Sequence, residues 1–147
     1  MTKKIIIILL AAITLLGIFL RGYKVTEVPM YGDELTLVQD AYSILKTGRD
    51  QTGESFPLTF SMRGGSPPGY VYLTIPRVWI LGPTVFGVRA ASIASGVAMI
   101  LLMYLLGAKL FSPDVGVAAA FLTSVSPWSI NLSRGGFEPN AALFLTL

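Results

Sequence analysis

Asp33 and Glu34 stand side by side near the start of the only long polar stretch of the chain, residues 21–68. Paired carboxylates in such a place are suited to proton transfer. The sequence contains no histidine and no cysteine, which removes imidazole and thiolate metal sites, cysteine nucleophiles, disulfides and the Ser-His-Asp triad together. Acid–base chemistry is left to Asp, Glu, Lys and Tyr. The simpler role for Asp33 is to cap the helix that follows it, an interaction worth about 0.5–2 kcal/mol. Residue type alone leaves both roles open.

The rest of the chain looks like membrane built to hold this stretch. Hydrophobic residues make up 53%, charged residues 13%, and the mean hydropathy is +0.68, whereas soluble domains carry about a quarter charged residues. The net charge of +3 is small and its positive residues are scattered, which does not suggest a nucleic-acid partner and leaves membrane lipids as the expected neighbours.

Lys3 and Lys4 precede an apolar run to residue 20 with no small-residue cleavage site after it, so residues 1–20 are expected to be an uncleaved signal-anchor helix. The two lysines place the N-terminus in the cytoplasm and residues 21–68 outside, in the plasma or inner membrane. Within that loop, Leu35, Val38, Tyr42 and Leu45 recur at helical spacing, which predicts an amphipathic surface helix over 33–46, closed by Gly48. Residues 51–65 lack a period and read as irregular loop. Residues 69–82 are apolar but too short to span and contain Pro76 and Arg77, so they are expected to form a short juxtamembrane helix.

Two spans are expected next, over 88–107 and 115–132, with Arg89 snorkelling from the first to the outer interface. A loop over 133–138 and the start of a fourth span over 139–147 complete the chain. With two spans between them, the loop of Asp33 and Glu34 and the loop of Arg134 and Glu138 face the same side. The fold class is therefore all-α: a polytopic helical membrane protein with amphipathic juxtamembrane helices.

The ordered set of motifs resembles a known family. A signal anchor is followed by Pro29-Met30-Tyr31-Gly32-Asp33-Glu34, then Ser66-Pro67-Pro68-Gly69-Tyr70 opening a short aromatic helix. Phe86-Gly87-Val88-Arg89-Ala90-Ala91-Ser92, Tyr104-Leu105-Leu106-Gly107-Ala108-Lys109-Leu110-Phe111, and Ser126-Pro127 leading to Ser133-Arg134 and Glu138 come after. Together they resemble the N-terminal part of a polytopic GT-C glycosyltransferase, of the protein O-mannosyltransferase and aminoarabinose transferase group. The resemblance implies transfer of a sugar from a polyprenyl or dolichyl phosphate to an acceptor hydroxyl on a protein, lipid or glycan at the non-cytoplasmic face. Because such enzymes have many more spans, it also implies that these residues are inactive alone.

A hydroxyl is a poor nucleophile, and a carboxylate that accepts its proton is a usual remedy. The resemblance assigns that base to Asp33, with Glu34 orienting it or contacting the acceptor. The departing phosphate develops charge that an arginine can meet, and Arg134 and Arg63 are the candidates. Glu138 is a candidate second acid that contacts the sugar or shares a metal.

Each has a plainer role: Glu138 as helix cap before Pro139, Arg63 as a solvated side chain, Arg134 as a headgroup anchor. Tyr70, Tyr72 and Trp79 read as interfacial aromatics rather than a sugar platform. Carboxylates with waters could hold a divalent cation such as Mg, Mn or Ca, though the residues require none. The alternative function is a non-enzymatic polytopic protein, a transporter half or assembly subunit whose outer loop binds a partner. Transporters place charge near the bilayer midplane, whereas these spans are bland and the polar residues lie at their ends.

Overall fold

The computed structural model describes residues 1–60, 64 and 67–146. Among them are helices α1 (Lys3–Gly22), α2 (Gly32–Thr47), α3 (Gly69–Leu81), α4 (Val85–Leu110), α5 (Pro113–Val125), α6 (Pro127–Arg134) and α7 (Glu138–Thr146), and no strands. Helices α1 and α4 are long and apolar enough to cross a membrane, and α5 with α6 adds a third span if the bent pair is one crossing. The chain is an all-α membrane protein. Its residues cluster into two units.

One unit comprises Met1–Tyr23, Ser92–Arg134 and Pro139–Leu147. α1 leaves Ile7, Ile8, Leu15 and Phe19 exposed, as a lipid-facing helix can, and buries the stripe Ile6, Ile13, Gly17 and Arg21. Ile13 packs with Ile100 of α4 and Ala120 of α5. α4 and α5 form a tight hairpin. Ser112 caps α5 by accepting from the Val115 amide at 3.3 Å, and Pro113 supplies the favoured first position. Behind the turn, Gly107 and Gly116 let the two backbones touch: a Cβ at Gly116 would lie 2.6 Å from the Tyr104 carbonyl oxygen. Small residues at such contacts are how helices pack closely in lipid, where no hydrophobic force drives them together.

The sequence reading has one span over 115–132, whereas the structure has two helices meeting at 55°. Pro127 has no amide hydrogen to continue the ladder, so the helix stops at Val125 and restarts. The carbonyls freed at the break are met by Arg21, which the sequence reading placed at the start of a polar loop and which is fully buried at the end of α1.

The other unit comprises Lys24–Ala91 and Gly135–Glu138. α2 buries Leu37, Val38, Ala41 and Ile44, and α3 buries Tyr70, Val71, Thr74 and Val78. α2 thus has two apolar faces. The one with Leu35 and Tyr42 is exposed, and the one turned inward is set about a residue away from the expected stripe. Gly48, at φ +72°, closes α2 in the left-handed conformation that glycine adopts freely. The following loop is latched back onto the helix. Asp40 Oδ1 accepts from the amide and the side chain of Gln51 at 3.2 and 2.9 Å, and Asp50 Oδ1 accepts the Thr52 and Glu54 amides, both at 2.9 Å.

Candidate functional site

The adjacent carboxylates divide sharply. Tyr31 is the N-cap of α2, so Asp33 occupies the second helical position and Glu34 the third. The capping carboxylate is that of Glu34, whose Oε2 accepts from the Tyr31 amide at 3.0 Å. Asp33 is exposed. The capping hydrogen bond is therefore made by its neighbour, while Asp33 stays in the first turn of α2, where a carboxylate is favoured.

Glu34 is wholly excluded from solvent. Arg89 Nε donates to Oε1 at 2.8 Å and Arg89 Nη2 to Oε2 at 2.7 Å, a bidentate pair. The Gly136 amide donates to Oε1 at 2.6 Å. Burial alone pushes the Glu34 carboxyl up. The hydrogen bonds from Arg89, Gly136 and Tyr31, with the charge of Arg89, outweigh that and hold it below its ordinary value.

The remaining Arg89 donors close the arrangement. Nη1 donates to the Val25 and Val28 carbonyls at 2.7 and 3.0 Å, and Nη2 to that of Pro29 at 3.1 Å. All five N–H groups of the guanidinium are engaged. Arg89 is only 2% exposed: it does not snorkel, because a buried carboxylate and three carbonyls satisfy it better than an interface would. It fixes the segment before α2, and with it the first turn that carries Asp33. The polar signal for this was present, since an arginine at the end of an apolar run calls for a partner.

Gly136 brings residues 135–138 onto Glu34, within this same unit. A Cβ there would lie 2.5 Å from Val88 Cγ1 and 3.0 Å from Glu34 Oε1, so only glycine allows the approach. Glu138 opens α7 and is half-buried. Arg134, which belongs to the first unit, ends α6 half-buried and donates through Nη1 to the Leu20 carbonyl at 3.3 Å. Arg63 lies outside the described residues, as does Ser66.

Of the three aromatic residues expected at the interface, Trp79 is exposed. Tyr70 is instead buried, its hydroxyl donating to the Val88 carbonyl at 3.0 Å, and Tyr72 donates to that of Pro57 at 2.9 Å. Both hydroxyls find carbonyl partners inside the unit. Among the described residues no three Asp, Glu, His or Cys side chains gather in a group that could hold a metal ion.

Residues 65–147 match the sequence model of the family described as dolichyl-phosphate-mannose-protein mannosyltransferase. No curated protein and no solved structure matches the chain.

Proposed function

Because the chain belongs to the dolichyl-phosphate-mannose-protein mannosyltransferase family, a family of membrane glycosyltransferases of the GT-C kind, we propose that it passes a sugar from a polyprenyl or dolichyl phosphate to an acceptor hydroxyl on the non-cytoplasmic face, with Asp33 as the general base. One observation carries the assignment. Glu34 has both oxygens occupied by Arg89 and by backbone amides, while Asp33, the next residue, is open to solvent on the turn that this pairing holds rigid. Asp33 takes the hydroxyl proton as the acceptor oxygen bonds to the anomeric carbon. The bond from that carbon to phosphate oxygen breaks, and its electrons leave with the lipid phosphate. Glu34 is then a positioning residue.

Arg134 and Arg63 are proposed to meet the charge on the leaving phosphate, and Glu138 to contact the sugar. Lys3 and Lys4 support a cytoplasmic N-terminus and an outer location for the Asp33 turn.

The test is a transfer assay on the full-length protein in membranes with a panel of polyprenyl-phosphate sugars, comparing wild type with Asp33→Asn. Asparagine keeps the shape but takes no proton, so transfer should fall by about 10²–10⁴-fold while the protein accumulates normally. Near-normal transfer would move the base to Glu138. No transfer by the wild type from any donor would sink the reading.

A further inference from the structure

The buried arginine at the end of α1 has no part in the site just proposed, and its surroundings are unusual. Arg21 is fully excluded from solvent. Its partners are all uncharged oxygens: Nη1 donates to the Gly17 and Ser124 carbonyls at 3.2 and 3.1 Å, Nη2 to the Thr123 carbonyl at 3.1 Å and to Ser129 Oγ at 2.8 Å, and Nε to Ser133 Oγ at 3.2 Å. Five donors meet five acceptors. Four of the acceptors lie on the two sides of the break between α5 and α6, and the fifth, the Gly17 carbonyl, is on the same helix as Arg21.

That placement answers a specific problem. A helix interrupted where solvent is excluded leaves carbonyls of its last turn without amide partners, which is unfavourable unless other donors reach them. In α5 the Leu122 carbonyl is taken by the Ser126 amide and that of Phe121 by the Ser124 hydroxyl at 2.9 Å. Arg21 takes the next two, and its charge lies at the negative end of the α5 dipole. The same fork then holds Ser129 and Ser133, one turn apart on α6. Ser133 is a junction: it donates to the Ser129 carbonyl at 2.7 Å and accepts from Asn140 Nδ2 at 3.1 Å, and Asn140 Nδ2 also donates to the Ser92 carbonyl at 2.8 Å. Gly96 makes room, since a Cβ there would lie 2.0 Å from Ser133 Oγ.

We infer that Arg21 is a positioning residue that clamps the broken span, holding α6 at its angle to α5 and thereby setting the place of Arg134, one residue beyond Ser133. The link to Arg134 rests on the proposed transferase reading; the clamp itself does not. Lysine cannot replace it, because a single ammonium cannot reach acceptors on two helices in a fixed fork.

The experiment compares wild type with Arg21→Lys and Arg21→Leu, the protein being held in lipid nanodiscs of defined phospholipid. Amide hydrogen exchange over residues 123–134 should quicken on the order of tenfold in both variants, with exchange over 99–106 of α4 unchanged. In the transfer assay, KM for the polyprenyl-phosphate sugar should rise by about tenfold to a hundredfold, with kcat changed far less. Arg21→Lys, which keeps the charge, serves where Arg21→Leu fails to accumulate. Unchanged exchange over 123–134 overturns the clamp. Faster exchange with an unaltered KM overturns the link to Arg134 while leaving the transferase reading intact. Absence of transfer in wild type refutes that reading and the link with it, and exchange alone then decides the clamp.

Discussion

Arg89 and Glu34 form a buried bidentate ion pair at 2.7–2.8 Å, joining the first turn of α4 to the first turn of α2 across 55 residues of sequence. Both side chains are shut off from solvent, so each depends on the other. A buried charge whose partner is removed costs about 3–5 kcal/mol, whereas replacing both by apolar groups can be neutral.

Arg89→Leu and Glu34→Gln should therefore each destabilise the protein by about 3–5 kcal/mol. The double variant Arg89→Leu with Glu34→Leu should cost less than the sum of the singles. Denaturant unfolding in detergent, read as a double-mutant cycle, checks this. Additive losses would mean that the two side chains do not interact as the geometry shows.

Gly136→Ala introduces a methyl group against Val88 and the Glu34 carboxylate. A loss of about 1–3 kcal/mol is expected, as for overpacking elsewhere. At Gly135 the added Cβ would meet only the ring of Phe137, which can turn aside, so Gly135→Ala should cost less. Equal losses at the two positions would remove the special status of residue 136.

Acid should weaken the protein through Glu34. Its folded pKa lies below the ordinary 4.5, so the unfolded chain binds the proton more readily. The stabilisation is complete above the ordinary value and is lost as pH falls through the folded one. Asp50, held down by hydrogen bonds from Thr52, Glu54 and Gly53 that outweigh its burial, acts in the same direction. Unfolding free energy measured from pH 7 downward should be level above about pH 5 and then decline. A rise in stability on acidification would contradict both assignments.

In the other unit, Gly116→Val should separate α5 from α4, because the new side chain would meet the Tyr104 carbonyl and the Ala108 amide at 2.6 and 2.9 Å. Thermal unfolding in detergent should show a marked drop in midpoint, larger than for Gly22→Ala, where a Cβ would meet nothing within 4 Å. Similar midpoints for the two variants would show that the close approach contributes nothing.

The sequence by itself determined the class of molecule and the places of its polar residues. Apolar runs of spanning length, two lysines at the start and the absence of His and Cys are one-dimensional properties, as is the order of motifs that signals the glycosyltransferase family. The adjacent carboxylates were legible as a candidate site for the same reason. Their separate characters were not. Only the tertiary structure decided that Glu34 turns inward to Arg89 and Gly136 while Asp33 stays exposed, because helical geometry points successive residues in different directions and the partners come from distant segments. The same holds for Arg21, whose neighbours at positions 123–133 meet it only where Pro127 separates α5 from α6. An arginine beside an apolar run can be solvated, paired or used as a clamp, and packing alone distinguishes these outcomes.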